Sequence, residues 1–357
     1  MACAAALLLL LAPGVDRVDF GTTAARRVRL LRHDNPAVRS RAAMLLAHAK
    51  PDEAIAGLVI AVSDPNRNVR YAAAEALQVL ADERAVPVLA ERLRTEGSSQ
   101  VLTAVLVALG RSGGAYVAHR VVAFLEHPAR EVRAAAAAAL GHIGDAGQRD
   151  ALWSALRYAP DDPGFAVRAA VLSAFVNLGW KADVARAIVE LEEMGARRHW
   201  LGRAAVLVAI GAAGISDRTA WVRAQITEDQ DPRVVAAAAG ALARLDRRDE
   251  VFALLGHTSP VVRRAALVAL QDNGDPRAVA RARVMVREDP EVAVRFEAAL
   301  VLHYAHRPEA DIYLVDALRS RNPIFWITAL GALESRHGRS FGRDADAWAE
   351  FLKRDGP

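Results

Sequence analysis

Residues 64–77 have the sequence Asp-Pro-Asn-Arg-Asn-Val-Arg-Tyr-Ala-Ala-Ala-Glu-Ala-Leu, and variants of this stretch recur along the chain. An Asp-Pro or Asn-Pro pair favours the start of a helix, because Asp and Asn are good N-caps and proline is tolerated in the first turn. Counted from the arginine, Val at −1, Ala at +3 and +4 and Leu at +7 fall on one face of a helix. The stretch therefore predicts a turn followed by a helix with an alanine-rich packing face.

The arginine position recurs about every 32 residues, at 39, 70, 102, 133, 168, 203, 235, 263, 295 and 326. Leu102, Val235 and Trp326 replace the arginine at three of these positions. A glycine or polar turn and a second amphipathic segment, such as residues 84–93, complete each unit. A two-helix unit of this length cannot bury its apolar face alone, so we expect about ten units to stack into an all-α solenoid.

The pattern resembles HEAT repeats, most closely the HEAT-like repeats of phycobilisome lyases, over about nine-tenths of the chain. The resemblance implies that the Val-Arg helix lines the concave side of the solenoid. It also implies that turn aspartates and helix arginines form a structural ladder between neighbouring repeats, interrupted where the arginine is replaced. The residues that match these ladder positions are Asp64, Arg70, Asp162, Arg168, Asp289 and Arg295.

Three segments are predicted along the chain. Residues 1–15 are a signal peptide or an N-terminal apolar helix, because Ala2 to Ala12 form an apolar run with the length of a signal h-region but without a basic n-region. Residues 16–337 form the repeat solenoid. Residues 338–357 form a capping helix, with Asp344 as N-cap and Trp348, Phe351 and Leu352 covering the last repeat. The chain is expected to be a monomer, periplasmic or otherwise exported if the first segment is a signal and cytoplasmic if it is not.

The composition supports closely packed helices and excludes several classes of protein. There are 77 alanines, and alanine is the best intrinsic helix former. Of the 46 basic residues only three are lysine, which is typical of a GC-rich bacterial genome, and the formal net charge is only +4. Because Cys3 is the single cysteine, a disulfide framework, a Cys-ligated zinc site and a C-x-x-C redox motif are excluded.

No catalytic, cofactor-binding or metal-binding motif stands out. The sequence has no P-loop, Rossmann fingerprint, H-E-x-x-H or G-x-S-x-G, and it lacks the His-Glu dipeptides of the iron-binding HEAT hydroxylases. His303 and His306 could face one metal, but no carboxylate accompanies them. We therefore expect no enzyme activity, no cofactor and no metal. The alternative is an accessory lyase-type or chaperone-like factor with a site in the groove.

Nucleic-acid binding is a second alternative, since it needs cations spread along the groove. Positions +1, +5 and +9 of the Val-Arg helices are the least committed to the core. Only Arg111, Arg244 and Arg264 are basic among these thirty positions. A small-residue, mildly apolar groove is therefore predicted, which favours a protein or peptide partner.

The same positions indicate where a partner would bind. Met and Tyr are enriched in binding surfaces, although here they could simply fill space beside the alanine layers. The predicted contacts lie at the two ends of the solenoid: Met44, Tyr71 and Glu75 at the N-terminal end, and Phe296, Leu300 and Tyr304 at the C-terminal end. The predicted function is a non-enzymatic scaffold that binds a protein or peptide along its concave face.

Overall fold

The computed structural model describes residue 20 and residues 23–47, 49–159, 162–163 and 165–355. Within this part of the chain the regular structure is helical and there are no strands. The predicted all-α solenoid of two-helix repeats is confirmed. The predicted signal or apolar helix at residues 1–15 lies outside the described residues.

Two kinds of α-helix alternate along the chain, and short 3₁₀ turns join several of them. In chain order the helices are α1 (Ala24–Leu30), α2 (Pro36–Leu46), α3 (Pro51–Ala61), α4 (Arg67–Leu80), α5 (Val86–Thr95), α6 (Ser99–Ser112), α7 (Ala118–Val122), α8 (Arg130–Ile143), α9 (Arg149–Arg157), α10 (Ala166–Asn177), α11 (Lys181–Glu193), α12 (Trp200–Ala213), α13 (Thr219–Glu228), α14 (Pro232–Arg244), α15 (Arg248–Ala253), α16 (Pro260–Asp272), α17 (Pro276–Glu288), α18 (Val292–Tyr304), α19 (Ala310–Ala317), α20 (Pro323–His337) and α21 (Ala345–Asp355). The even-numbered helices carry the Val-Arg motif and are called inner helices here.

The chain divides into two compact units, Met1–Gly202 and Arg203–Pro357. Small residues hold successive inner helices of one unit close together. In unit 1, a Cβ added to Gly141 would lie 2.7 Å from the Cα of Ala174 on the next inner helix. In unit 2, a Cβ on Gly211 would lie 2.6 Å from the Cα of Ala241. The alanine-rich face thus sets the spacing of the repeats, because larger side chains would push these backbones apart.

The starts of the inner helices differ from the expected Asp-Pro cap in several repeats. Asn35 and Asp231 are N-caps directly before a proline, as expected. After Asp64 and Asp289, in contrast, the helix begins later, with Asn66 and Glu291 as the N-cap residues. In these two repeats the proline lies in the turn, because the aspartate side chain accepts a hydrogen bond from the N–H of the residue after the proline.

The C-terminal helix α21 packs its aromatic side chains inward. Trp348 is fully buried and donates from Nε1 to the carbonyl of Gly342, while Phe351 is nearly buried. The carboxylate of Asp344 accepts from the N–H groups of Asp346 and Ala347 at the start of the helix. Of the helices that the structure describes, none is both long and apolar enough to cross a bilayer.

Candidate functional site

The side of the inner helices that carries positions +1, +5 and +9 is called the inner face. In unit 2 it contains a concavity of about 380 Å3 between α14, α16 and α18. Its floor is formed by Ala236, Gly240 and Val268, which are the +1 and +5 residues of two inner helices. Small side chains leave this space open, so the inner face could accommodate side chains of another molecule.

Charged groups of both signs surround this concavity, which is called the unit 2 groove from here on. Arg244, Arg264, Asp272 and Glu297 line it. Nη2 of Arg264 lies 2.9 Å from Oε2 of Glu297, so this cation is neutralised across two inner helices. The unit 2 groove is therefore of mixed charge around a floor of small and apolar residues.

The predicted N-terminal contacts lie on α2 and α4 of unit 1. Met44 and Glu75 are partly exposed, whereas Tyr71 is only 8% exposed. Burial raises the pKa of Glu75, and the hydrogen bond with the Tyr71 hydroxyl partly offsets this increase. The structure thus places Tyr71 as a support for Glu75, which leaves Met44 and Glu75 as the groups that a partner could reach.

The predicted C-terminal contacts lie on α18 of unit 2. Phe296 and Leu300 are each 8% exposed, and the ring of Phe296 stacks on Phe325 with 4.6 Å between centroids. Tyr304 is 64% exposed. Of these three residues, Tyr304 offers the most surface to a partner.

A ladder of ion pairs runs along the turns at the starts of the inner helices. Each ladder arginine, with the place where an acid of the next repeat can face it, is called a rung, and a rung is filled when the arginine binds a carboxylate there. In each filled rung, Nε and Nη2 of an arginine donate to the two carboxylate oxygens of the next repeat, at 2.5–3.1 Å. The filled rungs are Arg39–Asp64, Arg70–Glu96, Arg203–Asp229 and Arg263–Asp289. In three of these rungs Nη1 of the same arginine also donates to two carbonyls of its own turn, so the guanidinium joins two consecutive turns.

The partner of each rung lies six residues before the next arginine position, in a place called the cap position here. At eight of the ten cap positions the side chain also accepts from the backbone N–H two residues later; the other two hold Asp162, which accepts from the N–H of Val167, and Arg197. The acceptors are His33, Asp64, Glu96, His127, Asp229, His257, Asp289 and Ser320. Histidine stands at the cap position directly after Leu102 and after Val235, where no arginine needs a carboxylate. This column was not predicted, although its acids and histidines are visible in the sequence.

The six residues assigned to the ladder from the resemblance have different partners. Asp64, Arg70 and Asp289 belong to filled rungs with Arg39, Glu96 and Arg263. Asp162 is buried and lies 3.4 Å from Nη1 of Arg168 in its own repeat, while it also accepts from the N–H of Val167. Arg295 donates from Nη1 to the carbonyls of Asp289 and Pro290.

The two histidines considered as metal ligands lie at the end of α18. Burial lowers the pKa of His303, and its Nδ1 is buried without a hydrogen-bond partner in the described chain. His306 has a left-handed backbone with φ of 56° just after the helix. The described residues contain no group of three or more His, Cys, Asp or Glu side chains placed to hold a metal ion.

Comparisons with known proteins agree with this architecture. The family model for HEAT repeats matches residues 24–110, 96–175 and 248–334. No curated protein sequence matches the chain.

Several solved structures are similar to this chain in fold. An engineered protein aligns with a TM-score of 0.38 and 20% identity, covering 88% of this chain and 98% of its own. The complex of CpcE and CpcF of phycocyanin lyase from Nostoc aligns with a TM-score of 0.36 and 20% identity, covering 88% and 95%. Yeast importin-beta aligns with a TM-score of 0.38 and 14% identity, covering 92% of this chain and 52% of that chain. The family match covers more than half of the residues, and the chain belongs to the HEAT-repeat family.

Proposed function

We propose that the chain is a non-enzymatic scaffold that binds a protein or peptide along the inner face. The observation that carries the proposal is the unit 2 groove, where a floor of small residues is bordered by charges of both signs. A peptide can place apolar side chains on Ala236 and Val268 and polar groups against the charged border. Binding sites for organic ligands combine these same elements, a concave apolar surface and a few placed polar groups.

Exposed apolar side chains on the inner helices also support this proposal. Val79 on α4 is 53% exposed, Val208 on α12 is 40% exposed, and Tyr304 on α18 is 64% exposed. All three occupy positions +5 or +9 of their repeats. Together with Met44 and Glu75, they are the proposed contacts outside the groove, while Tyr71, Phe296 and Leu300 support the surface from below.

The charges of the groove favour a polypeptide over a nucleic acid. A nucleic-acid groove needs cations free to neutralise phosphates. Here Arg264 is already paired with Glu297, and Asp272 adds a negative charge to the same concavity. A peptide carrying both apolar and charged side chains matches this surface better than a polyanion does.

Gly240 provides a direct test, because a Cβ added there would have no atom within 4 Å. The change Gly240→Leu extends a side chain into the groove from a Cβ that meets no atom of the chain. The matched control is Gly256→Leu, since Gly256 is exposed at the end of the second helix of the same repeat and is equally open. Partners captured with the full-length chain should be recovered by Gly256→Leu and lost, by about tenfold or more, with Gly240→Leu.

Three outcomes would contradict the proposal. Equal recovery of every captured protein by both variants would show that the groove is not the binding site. Salt-sensitive capture of duplex DNA by the wild type and by both variants would indicate a nucleic-acid binder instead. Catalytic turnover of a captured compound by the wild type, lost in Gly240→Leu, would favour the lyase-type alternative.

Monomeric state and compartment are proposed from the sequence alone. We infer a monomer, exported if residues 2–12 act as a signal h-region and cytoplasmic otherwise. Sedimentation of the purified chain tests the first inference. N-terminal sequencing of the mature protein tests the second, since cleavage after the apolar run is expected only for an exported chain.

A further inference from the structure

Arg295 differs from the arginines of the four filled rungs. The ladder arginines Arg39, Arg70, Arg203 and Arg263 each bind a carboxylate of the next repeat, and Arg168 binds Asp162 of its own turn. The Asp289 carboxylate of the Arg295 repeat is held by Arg263. Within the described chain, Nε and Nη2 of Arg295 have no hydrogen-bond partner, and only Nη1 is bound, to two carbonyl oxygens.

The cause lies at the cap position of the last repeat, which is Ser320. Its Oγ accepts from the N–H of Asn322 at 3.1 Å, as the Oδ1 of Asp64 does from the N–H of Asn66. Ser320 therefore performs the capping half of the usual role. A hydroxyl is too short to reach the guanidinium of Arg295 and carries no charge, so it does not replace the carboxylate that the arginine binds in each filled rung.

The empty rung opens onto a cavity of about 330 Å3. Phe296 and Phe325, stacked 4.6 Å apart, form one wall of the cavity together with Ala299 and Val286. The cavity is thus a combination of an apolar wall and one guanidinium edge with two unoccupied N–H donors. Guanidinium edges of this kind bind carboxylates through two parallel hydrogen bonds.

The acids around the cavity do not fill the rung. The Asp316 carboxylate is 82% exposed and lies 3.7 Å from Nη1 of Arg319, and no ion pair joins it to Arg295. Arg319 itself is bound through Nη2 to Asp346 at 2.6 Å. The Tyr313 hydroxyl is held by Nε of Arg287 at 2.9 Å. The guanidinium of Arg295 is therefore the cation with unoccupied donors at this point.

We propose that Arg295 binds a carboxylate of an acidic partner segment, which takes the place of the missing ladder acid. The source of the carboxylate rests on the function proposed above, that the partner is a polypeptide. In three of the filled rungs the acid has an extended backbone, at Glu96, Asp229 and Asp289. An Asp or Glu side chain next to an apolar residue fits both the guanidinium edge and the Phe296–Phe325 wall.

The test follows the Nε–H signal of Arg295 by NMR in the full-length chain labelled with ¹⁵N-arginine. The signal is assigned by its absence in Arg295→Lys. Three probes are titrated: acetyl-Phe-Asp-Gly-amide, acetyl-Phe-Asn-Gly-amide and 3-phenylpropionate. The Asp peptide should shift the signal in a saturable manner, whereas the Asn peptide, which has the same size without the charge, should not.

The variant Ser320→Asp closes the rung from within and does not depend on a partner. It should shift the Arg295 signal without any peptide and weaken the apparent affinity for the Asp peptide by about tenfold or more. Since it supplies the residue type found at Asp64, Asp229 and Asp289, we expect it to fold. A normal spectrum for the remaining arginines checks this.

Each other outcome overturns the proposal. No shift with the Asp peptide, an equal shift with the Asn peptide, or an undiminished response in Ser320→Asp would refute a carboxylate site at Arg295. A shift with 3-phenylpropionate but not with the Asp peptide would assign the site to a free small carboxylate and refute the polypeptide source. Loss of partner capture by Gly240→Leu reports on the groove alone, so failure of the scaffold function and failure of this site can be told apart.

Discussion

Replacing Gly141 by alanine tests whether close approach of inner helices sets the stability of unit 1. Gly141 lies inside α8 with φ outside the left-handed region, so its backbone does not require glycine. Helix propensity alone would make Gly141→Ala stabilising by about 1 kcal/mol. The added Cβ would, however, lie 2.7 Å from the Cα and 3.1 Å from the Cβ of Ala174 on α10. The sign of the effect depends on which of these two terms is larger.

The size of the clash can be worked from the geometry. Ordinary contacts of a Cβ begin near 3.4 Å, so α8 and α10 would have to separate by about 0.7 Å at this point. A gap of this size loses a quarter to a half of the roughly 0.1–0.2 kcal/mol of dispersion energy per atom pair. Over a few tens of atom pairs the loss is about 2 kcal/mol, within the range for overpacked cores. We therefore expect a net loss in unfolding free energy of roughly 1 kcal/mol.

The matched control is Gly240→Ala, because a Cβ at Gly240 in α14 meets no atom within 4 Å. This variant should gain about 0.5–1 kcal/mol. Urea unfolding gives the global values. Hydrogen exchange of the peptides covering residues 130–143 and 166–177 locates the effect in α8 and α10, since a repeat array need not unfold in one step. If Gly141→Ala proved as stable as Gly240→Ala, the idea that backbone contact sets the repeat spacing would be refuted.

Two further predictions concern the ladder. Arg263→Met should lower the unfolding free energy by about 2–4 kcal/mol, because it leaves the nearly buried Asp289 carboxylate unpaired. The control Arg264→Met breaks a more exposed ion pair and should lower the unfolding free energy by less than about 1 kcal/mol. Equal losses for the two variants in urea unfolding would contradict this prediction. Burial raises the pKa of Asp289, but the hydrogen bonds from Arg263 and the Glu291 N–H outweigh it and the pKa is lowered overall. The stabilisation by the Asp289 carboxylate is therefore present above the pKa of the unfolded chain and is lost as the pH falls through the pKa of the folded chain. From about pH 5 to pH 3, the unfolding free energy should fall less steeply for Asp289→Asn than for the wild type. Parallel slopes for the two proteins would argue against a charged rung.

The repeat, its helices and the alanine face followed from the sequence because local chemistry determines them. Val69, Ala73 and Leu77 occupy one face of α4 at helical spacing, and all three are fully buried. The N-cap predicted at Asp64 was wrong by two residues, because the N-cap is Asn66. Asp64 instead accepts a hydrogen bond in the turn and pairs with Arg39 of the preceding repeat, and nothing in the local sequence distinguishes this role from that of an N-cap.

The candidate contacts were harder to predict from sequence. Tyr71 and Phe296 stand at position +1 of their repeats and are each 8% exposed, whereas Val79 and Tyr304 stand at position +9 and are 53% and 64% exposed. Helical spacing places +1, +5 and +9 on one side of a helix, but it does not show that the next inner helix covers +1 and leaves +9 open. The cap position, in contrast, was visible in the sequence: acids follow Arg39 and Arg263, and histidines follow Leu102 and Val235.

The alternation of acid and histidine at the cap position has a mechanical consequence. Joints bridged by an arginine and a carboxylate, such as Arg70–Glu96 and Arg263–Asp289, respond to acid and salt, because the fold lowers the pKa of both acids. The joint between Leu102 and His127 has no such bridge; its backbones meet at Gly110, where an added Cβ would lie 2.9 Å from the Cα of Ala139. Acid should therefore loosen the bridged joints first, while the joint between Leu102 and His127, which has no such bridge, should keep its stiffness.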